Sequence, residues 1–237
     1  FITILAVYFG AVDIRKDVTV YLQIDAFILV LLGTMGSTLI STSFDDFKGL
    51  TKLFKNIFFS KRSFMQPIDA IRTMVFVAEE AQTASRQSLP DIVKNKNSLF
   101  LTRSLEMVAA GLDKEFILDT LHTDIEELTQ RHVKKVSIVR TMGSFAPMFG
   151  MLGTVVGVIQ VLKNVTDIEN IVSGMALALL TTLYGLFFTA ILFIPLSNKL
   201  KDLSEQEILS KQIITQGVEM ILNKEIPLKV EKYLTSY

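Results

Sequence analysis

The 237-residue chain has no cysteine and only two histidines, His122 and His132. The first absence excludes disulfides and thiolate metal sites. The histidines do not stand in a paired ligand spacing, so no metal site and no bound cofactor is expected. No phosphate loop, nucleophile elbow or dinucleotide fingerprint occurs. Covalent chemistry is therefore not expected of this chain. Its 24 basic and 24 acidic residues give a formal net charge of zero, which argues against nucleic acid as the main partner. The most informative absence is local. Charged residues make up 20% of the chain, yet residues 26–44, 144–162 and 171–196 contain none.

About 20 apolar residues cross a hydrocarbon core, so each of these windows is long enough to span a membrane. The opening stretch FITILAVYFGAV is apolar but too short to span. It lacks the basic start and small-residue cleavage site of a signal peptide. We expect it to be the outer end of a first, truncated span. The fold class expected is thus an all-α membrane protein with four transmembrane helices. Lys and Arg near span ends set orientation. Lys48, Lys52, Lys55, Lys61 and Arg62 follow the second span. Arg131, Lys134, Lys135 and Arg140 precede the third, and Lys199 and Lys201 follow the fourth. The opposite side has Arg15, Lys16 and Lys163. Residues 45–142 and 197–237 are expected in the cytoplasm, with hairpins at 13–25 and 163–170 outside.

The cytoplasmic insert reads as helical. One helix is expected to start at Pro67, with Ile68, Ile71, Met74, Val75 and Ala78 at helical spacing. Pro90 interrupts the pattern, and a second helix is expected over roughly 91–110, stopping at Gly111. Asp113 is placed to cap a third, which meets no breaker before Pro147 and is expected to run directly into the third span. The fourth span is likewise expected to continue into a helical C-terminal tail.

Inside the spans, Gly150, Gly153 and Gly157 share one helix face and permit close helix approach, toward a neighbour or a central partner, with Tyr184 on the returning span. Pro147 and Pro195 fall at the cytoplasmic ends of the third and fourth spans, two interruptions of the helical ladder at one depth. Thr154 lies about 15 Å along the third span and Thr182, next to Thr181, about 16 Å from the outer end of the fourth. These hydroxyls therefore fall near the midplane. Each has an ordinary alternative, a bond to its own i−4 carbonyl. Together they offer uncharged oxygens to a cation or its water. No acid or base occurs in the last two spans, so an ion path needs a carboxylate from another chain.

The stretches GSFAPMFGMLGTVVGVIQVL, MALALLTTLYGLFFTAILFIPLSNKL, IDAFILVLLGTMGSTLIS, DIEELTQRH and ITQGVEMILNKEIPLKVEKYL resemble, in order, the MotA/PomA family of flagellar motor stator subunits. The resemblance covers nearly the whole chain. It implies a homopentamer of this chain in the inner membrane lipid bilayer, around a MotB/PomB-type dimer that brings the membrane Asp and a peptidoglycan-binding domain. It implies rotation driven by sodium or protons, and charged contacts with a FliG-type rotor protein. Pro147 and Pro195 match the family's functional prolines, and Thr154, Thr181 and Thr182 its ion-path threonines. Asp25 matches the acid near the outer mouth. Thr at position 154 is similar to the sodium-driven pattern, since sodium must recover oxygens lost with its hydration shell.

One departure concerns the rotor contact. The family pattern has Arg followed eight residues later by Glu; here Arg86 is followed by Lys94, and Asp91 is the nearest acid. Two alternatives stand beside the stator reading. One is an ExbB/TolQ-type motor, which usually has three spans. The other is a non-conducting membrane scaffold whose threonines only pack.

Overall fold

The computed structural model describes residues 21–47, 49, 64–83, 86–94, 98–163 and 165–237. The apolar opening stretch, Arg15 and Lys16, and Lys48, Lys52, Lys55, Lys61 and Arg62 lie outside the described residues, as does the Arg86 side chain. Among the described residues every regular element is helical. In order these are α1 (Ile24–Ser41), α2 (Pro67–Thr83), a 3-10 turn (Arg86–Ser88), α3 (Leu89–Val93), α4 (Leu99–Ala109) and α5 (Lys114–Lys163). A turn leads to α6 (Ile168–Phe187), a π-helical turn (Phe188–Phe193), α7 (Ile194–Leu222) and α8 (Pro227–Leu234).

Three helices among the described residues are long and apolar enough to cross a membrane: Ile24–Ser41, Lys114–Lys163 and Ile168–Leu222. The first is shorter than the expected 26–44. It stops at Thr42, whose backbone is extended at φ −134° and ψ 157°. The Ser41 and Thr42 hydroxyls donate to the Thr38 carbonyl at 3.0 and 2.8 Å, serving a last-turn acceptor that has no further helical amide. The third begins three residues earlier than expected, because Asp167 caps it: its carboxylate accepts from the Glu169 and Asn170 amides.

The chain divides into two compact units, the first formed by Phe1–Phe54 with Lys134–Lys199 and the second by Lys55–Val133 with Leu200–Tyr237. In the first, α1 packs on α6. The Phe27 ring meets Tyr184 and Phe188 edge-on, with centroids 6.0 and 5.5 Å apart. Gly33 gives room to Phe149 of α5, whose ring occupies the space a Cβ would take.

The second unit has a conventional apolar core. Met74 and Val77 of α2, Leu89 of α3, Leu101 and Leu105 of α4, Ile117 and Leu121 of α5, Ile213 and Ile214 of α7, and Leu234 of α8 are all essentially solvent-free. Each such side chain contributes about 1.5–3 kcal/mol on burial. The helix expected over 91–110 is two helices here. Pro90 sits in the first turn of α3, where its missing amide is harmless. Ser98 then starts α4 afresh, its hydroxyl accepting from the Leu101 amide at 3.3 Å. Gly111 ends α4 as expected, at φ +71°, a conformation that costs a residue with a Cβ. Lys211 lies over the Phe100 ring, 4.6 Å from its centroid, and burial lowers the ammonium's pKa.

Thr215 is the exception within this core. It is 4% exposed, and its hydroxyl is buried without a hydrogen-bond partner. Burying an unpaired hydroxyl costs about 1–3 kcal/mol. Thr215→Val, nearly identical in shape, is expected to raise stability by about 1 kcal/mol, seen as a higher midpoint in thermal unfolding followed by circular dichroism.

Candidate functional site

Two matching rows of small residues bring the third and fourth spans together. On α5 the row is Ala146, Gly150, Gly153 and Gly157; on α6 it is Gly174, Ala178, Thr181 and Gly185. Both follow the same spacing of four, three and four, and the helices run antiparallel, so the rows meet along their length. A Cβ on Gly157 would stand 2.5 Å from the Gly174 carbonyl oxygen, one on Gly153 2.5 Å from the Thr181 side chain, and one on Gly150 2.9 Å from the Thr181 carbonyl oxygen. A Cβ on Gly185 would stand 2.6 Å from the Ala146 carbonyl oxygen. The glycines thus let backbone approach backbone within a single chain. Of the two expectations, a neighbour or a central partner, the neighbour that fills this space is the fourth span of the same chain. The α6 row carries no GxxxG and escaped the sequence reading, although its spacing repeats that of α5.

The close approach positions the threonines. Thr154 Oγ1 lies 2.5 Å from Thr182 Oγ1, 3.1 Å from the Ala178 carbonyl oxygen and 3.2 Å from that of Gly150. Thr182 Oγ1 in turn lies 3.4 Å from the Ala178 carbonyl and 3.5 Å from that of Gly150. Four oxygens from two helices therefore form one uncharged cluster, with both hydroxyls half-buried. Each hydroxyl has a carbonyl acceptor besides the other hydroxyl. At that separation one hydroxyl donates to the other and the second donates to a carbonyl, which still leaves a lone pair on each threonine oxygen to face a cation or water. Thr181 is placed differently. It is fully buried against Gly153, and its hydroxyl donates to the Leu177 and Ala178 carbonyls at 2.9 and 3.1 Å. It shapes the seam and meets the cluster only through the Ala178 carbonyl, which the three hydroxyls share.

Tyr184 ties the start of α1 to α6. Its hydroxyl donates to the Tyr21 carbonyl and accepts from the Gln23 amide at 3.0 Å. Like the glycines, it is engaged within the chain. Asp25 stands nearby in the first turn of α1 and is exposed.

The two prolines have structural counterparts. Pro147 lies inside α5, so the Gly143 carbonyl, four residues before it, receives no amide from position 147. Thr189 of the π turn supplies a donor: its hydroxyl is 3.0 Å from the Gly143 oxygen and 2.9 Å from that of Gly185. Pro195 lies two residues past the π turn, and the Ile194 amide reaches back five residues to the Thr189 carbonyl. The wider turn relieves the crowding that a proline ring imposes on an α-helix. The sequence reading located both prolines but neither the π turn nor Thr189.

Asp91 is exposed and paired with Lys94 at 2.5 Å, and Arg86 opens the preceding 3-10 turn. The pairing raises the pKa of the Lys94 ammonium. Among the described residues no group of three or more His, Asp or Glu side chains is placed to hold a metal ion.

Much of the outer surface of α5 and α6 is apolar and uncovered within the chain. Met151, Val155, Ile159, Leu179 and Leu186 are each more than half exposed. Continuous apolar exposure of this kind fits a lipid or partner environment.

A profile of the MotA/TolQ/ExbB proton channel family matches residues 93–213. The chain is 30% identical to chemotaxis protein PomA of Vibrio alginolyticus over 237 residues, covering all of this chain and 90% of the relative. It is 31% identical to motility protein A of Borreliella burgdorferi over 180 residues, 76% of this chain and 69% of that one. Among solved structures it is similar to C. jejuni MotAB, with a TM-score of 0.89 at 21% identity over 99% of this chain and 91% of that chain. It is similar also to the flagellar MotAB stator complex of Bacillus subtilis, with a TM-score of 0.87 at 24% identity, 98% and 91% covered.

Because a Cβ at position 157 meets backbone atoms, Gly157→Ala is expected to cost about 1–3 kcal/mol. Gly36, around which a Cβ meets nothing within 4 Å, serves as the comparison: Gly36→Ala should be neutral or slightly stabilising. Thermal unfolding of both variants in detergent checks the pair.

Proposed function

We propose that this chain, which belongs to the MotA/TolQ/ExbB proton channel family, is the ion-conducting subunit of a bacterial flagellar motor stator in the cytoplasmic membrane. It works by ion-driven motion and catalyses no covalent reaction. Its partner is a MotB/PomB-type dimer, surrounded by five copies of this chain, and its cytoplasmic helices turn a FliG-type rotor protein. The relatives named PomA and motility protein A support the reading, as does the stator complex among similar structures.

The observation that carries the mechanism is the Thr154–Thr182 pair in two spans without a charged side chain. A passing ion has shed part of its hydration shell and needs replacement oxygens. Here two hydroxyls and two carbonyls offer them without adding a charge that would trap the ion. The carboxylate that attracts and releases the ion belongs to the partner, because the third and fourth spans of this chain hold none. Asp25 stands at the outer mouth, where a negative charge concentrates cations. Sodium suits the hydroxyl pair better than a proton, which needs only the acid and water.

Pro147 and Pro195 weaken both helices at the cytoplasmic end of the bilayer and allow the spans to flex as the partner's acid is neutralised. Rotor contact is the part furthest from the family pattern. Lys94 stands where the usual acid would be and pairs with Asp91, so Arg86 acts without that acid.

Thr154→Ala removes one oxygen from the cluster and leaves the glycine seam intact. With the partner in liposomes, sodium flux should fall roughly 10- to 100-fold, the worth of one hydrogen-bonding group to a charge. The complex should still assemble, and wild-type swimming speed should rise with external sodium at fixed pH. Equal speed with and without sodium identifies the proton as the ion. Pro195→Leu should leave assembled complexes that generate little torque, measured by tethered-cell rotation; normal rotation removes the hinge.

A further inference from the structure

We propose that the Thr189 hydroxyl is a two-position latch between the third and fourth spans, replacing the amide that Pro147 lacks. The idea rests on the reading of the two prolines as the hinge, and it names the group that holds that hinge shut. Pro147 leaves the Gly143 carbonyl without its i+4 donor, at a residue buried within the structure. Such a vacancy is normally filled by a neighbouring helix or a hydroxyl. Thr189 Oγ1 is 3.0 Å from that oxygen and reaches it from the fourth span.

The same hydroxyl lies 2.9 Å from the Gly185 carbonyl of its own helix. It has one hydrogen and two acceptors at nearly equal distance. Donating to Gly143 joins the spans; donating to Gly185 is the ordinary i−4 back-bond of a helical threonine and frees them. The switch leaves no donor unpaired, so the cost of opening falls on the Gly143 carbonyl alone. An amide, fixed along its helix axis, has no such second position. The latch also sits where the other proline acts. Thr189 belongs to the π turn before Pro195, and its carbonyl accepts the displaced Ile194 amide. A Cβ added to Gly143 would stand 3.3 Å from the Phe193 Cβ, so the helices are close enough there for a short side chain to bridge.

The test is a double-mutant cycle on the chain purified with its MotB/PomB-type partner. Thr189→Val keeps the shape and deletes the donor; it should lower the unfolding midpoint by roughly 3 °C. Thr189→Ser should match the wild type. In a Pro147→Ala background the amide of residue 147 serves Gly143, and Thr189→Val should then cost less than half as much. Equal losses in the two backgrounds overturn the latch, since a threonine bonding only Gly185 is indifferent to position 147. Thr189→Ala is carried through the same cycle, so that a misfit of valine cannot stand in for the lost hydroxyl. In liposomes, Thr189→Val should slow ion flux roughly tenfold while Thr189→Ser does not; unchanged flux in the valine variant also overturns it. A wild-type complex that carries no ion refutes the stator reading, and the unfolding cycle still decides the latch.

Discussion

The approach of α5 to α6 is the constraint on which the rest of the structure depends. Lipid tails give no hydrophobic reason for two apolar helices to associate, so contact must come from packing and hydrogen bonding. Residues without side chains, or with very small ones, bring carbonyls and hydroxyls of the two helices within bonding distance. Once the backbones touch, Thr154 reaches Ala178 and Thr182 on the opposite helix, and Thr189 reaches Gly143. A bulky residue at Gly150 or Gly157 would push these groups apart and undo both arrangements. Packing and polar chemistry are therefore one feature read at two levels.

The seam divides labour with a second protein. A carboxylate in these spans would carry its own desolvation cost and hold cations tightly. Leaving the acid to the partner keeps this chain's contribution neutral: oxygens whose protons can turn toward carbonyls or toward each other. In the proposed function such a surface solvates an ion briefly without retaining it, as a repeating transport cycle demands. The exposed apolar residues beside the seam are suited to face lipid or the partner's helix.

Much of this was legible in the sequence. The charge-free windows fall on the long apolar helices, and equal depths bring Thr154 and Thr182 together. What was not legible has physical causes. The α6 row of Gly174, Ala178, Thr181 and Gly185 reads as an ordinary apolar helix until its spacing is compared with the row it meets. Thr181 and Thr182 are adjacent in sequence but about 100° apart around a helix, so only one can face Thr154; the other enters the seam. Thr189 has no motif, and its partner exists only because a proline removed an amide on another helix. In the second unit, the serine that starts α4 divided a stretch expected as one helix between Pro90 and Gly111.

The π turn has a consequence for how the fourth span is counted. The buried row on α6 advances by four, three and four residues from Gly174 to Gly185. It then advances by four to Thr189 and four again to Phe193, before a step of three to Leu196; Phe193 and Leu196 are buried. An α-helix alternates fours and threes to keep one side facing its neighbour, so this run contains one residue more than the alternation allows. The wide turn absorbs it, acting as a vernier between two helical scales. A helical wheel drawn straight through residues 174–196 sets Phe193 about 100° from Gly174, although the residue is buried with the rest of the row. Removing a single residue from 188–193 would restore the alternation and give a regular helix with its lower half still toward its mate.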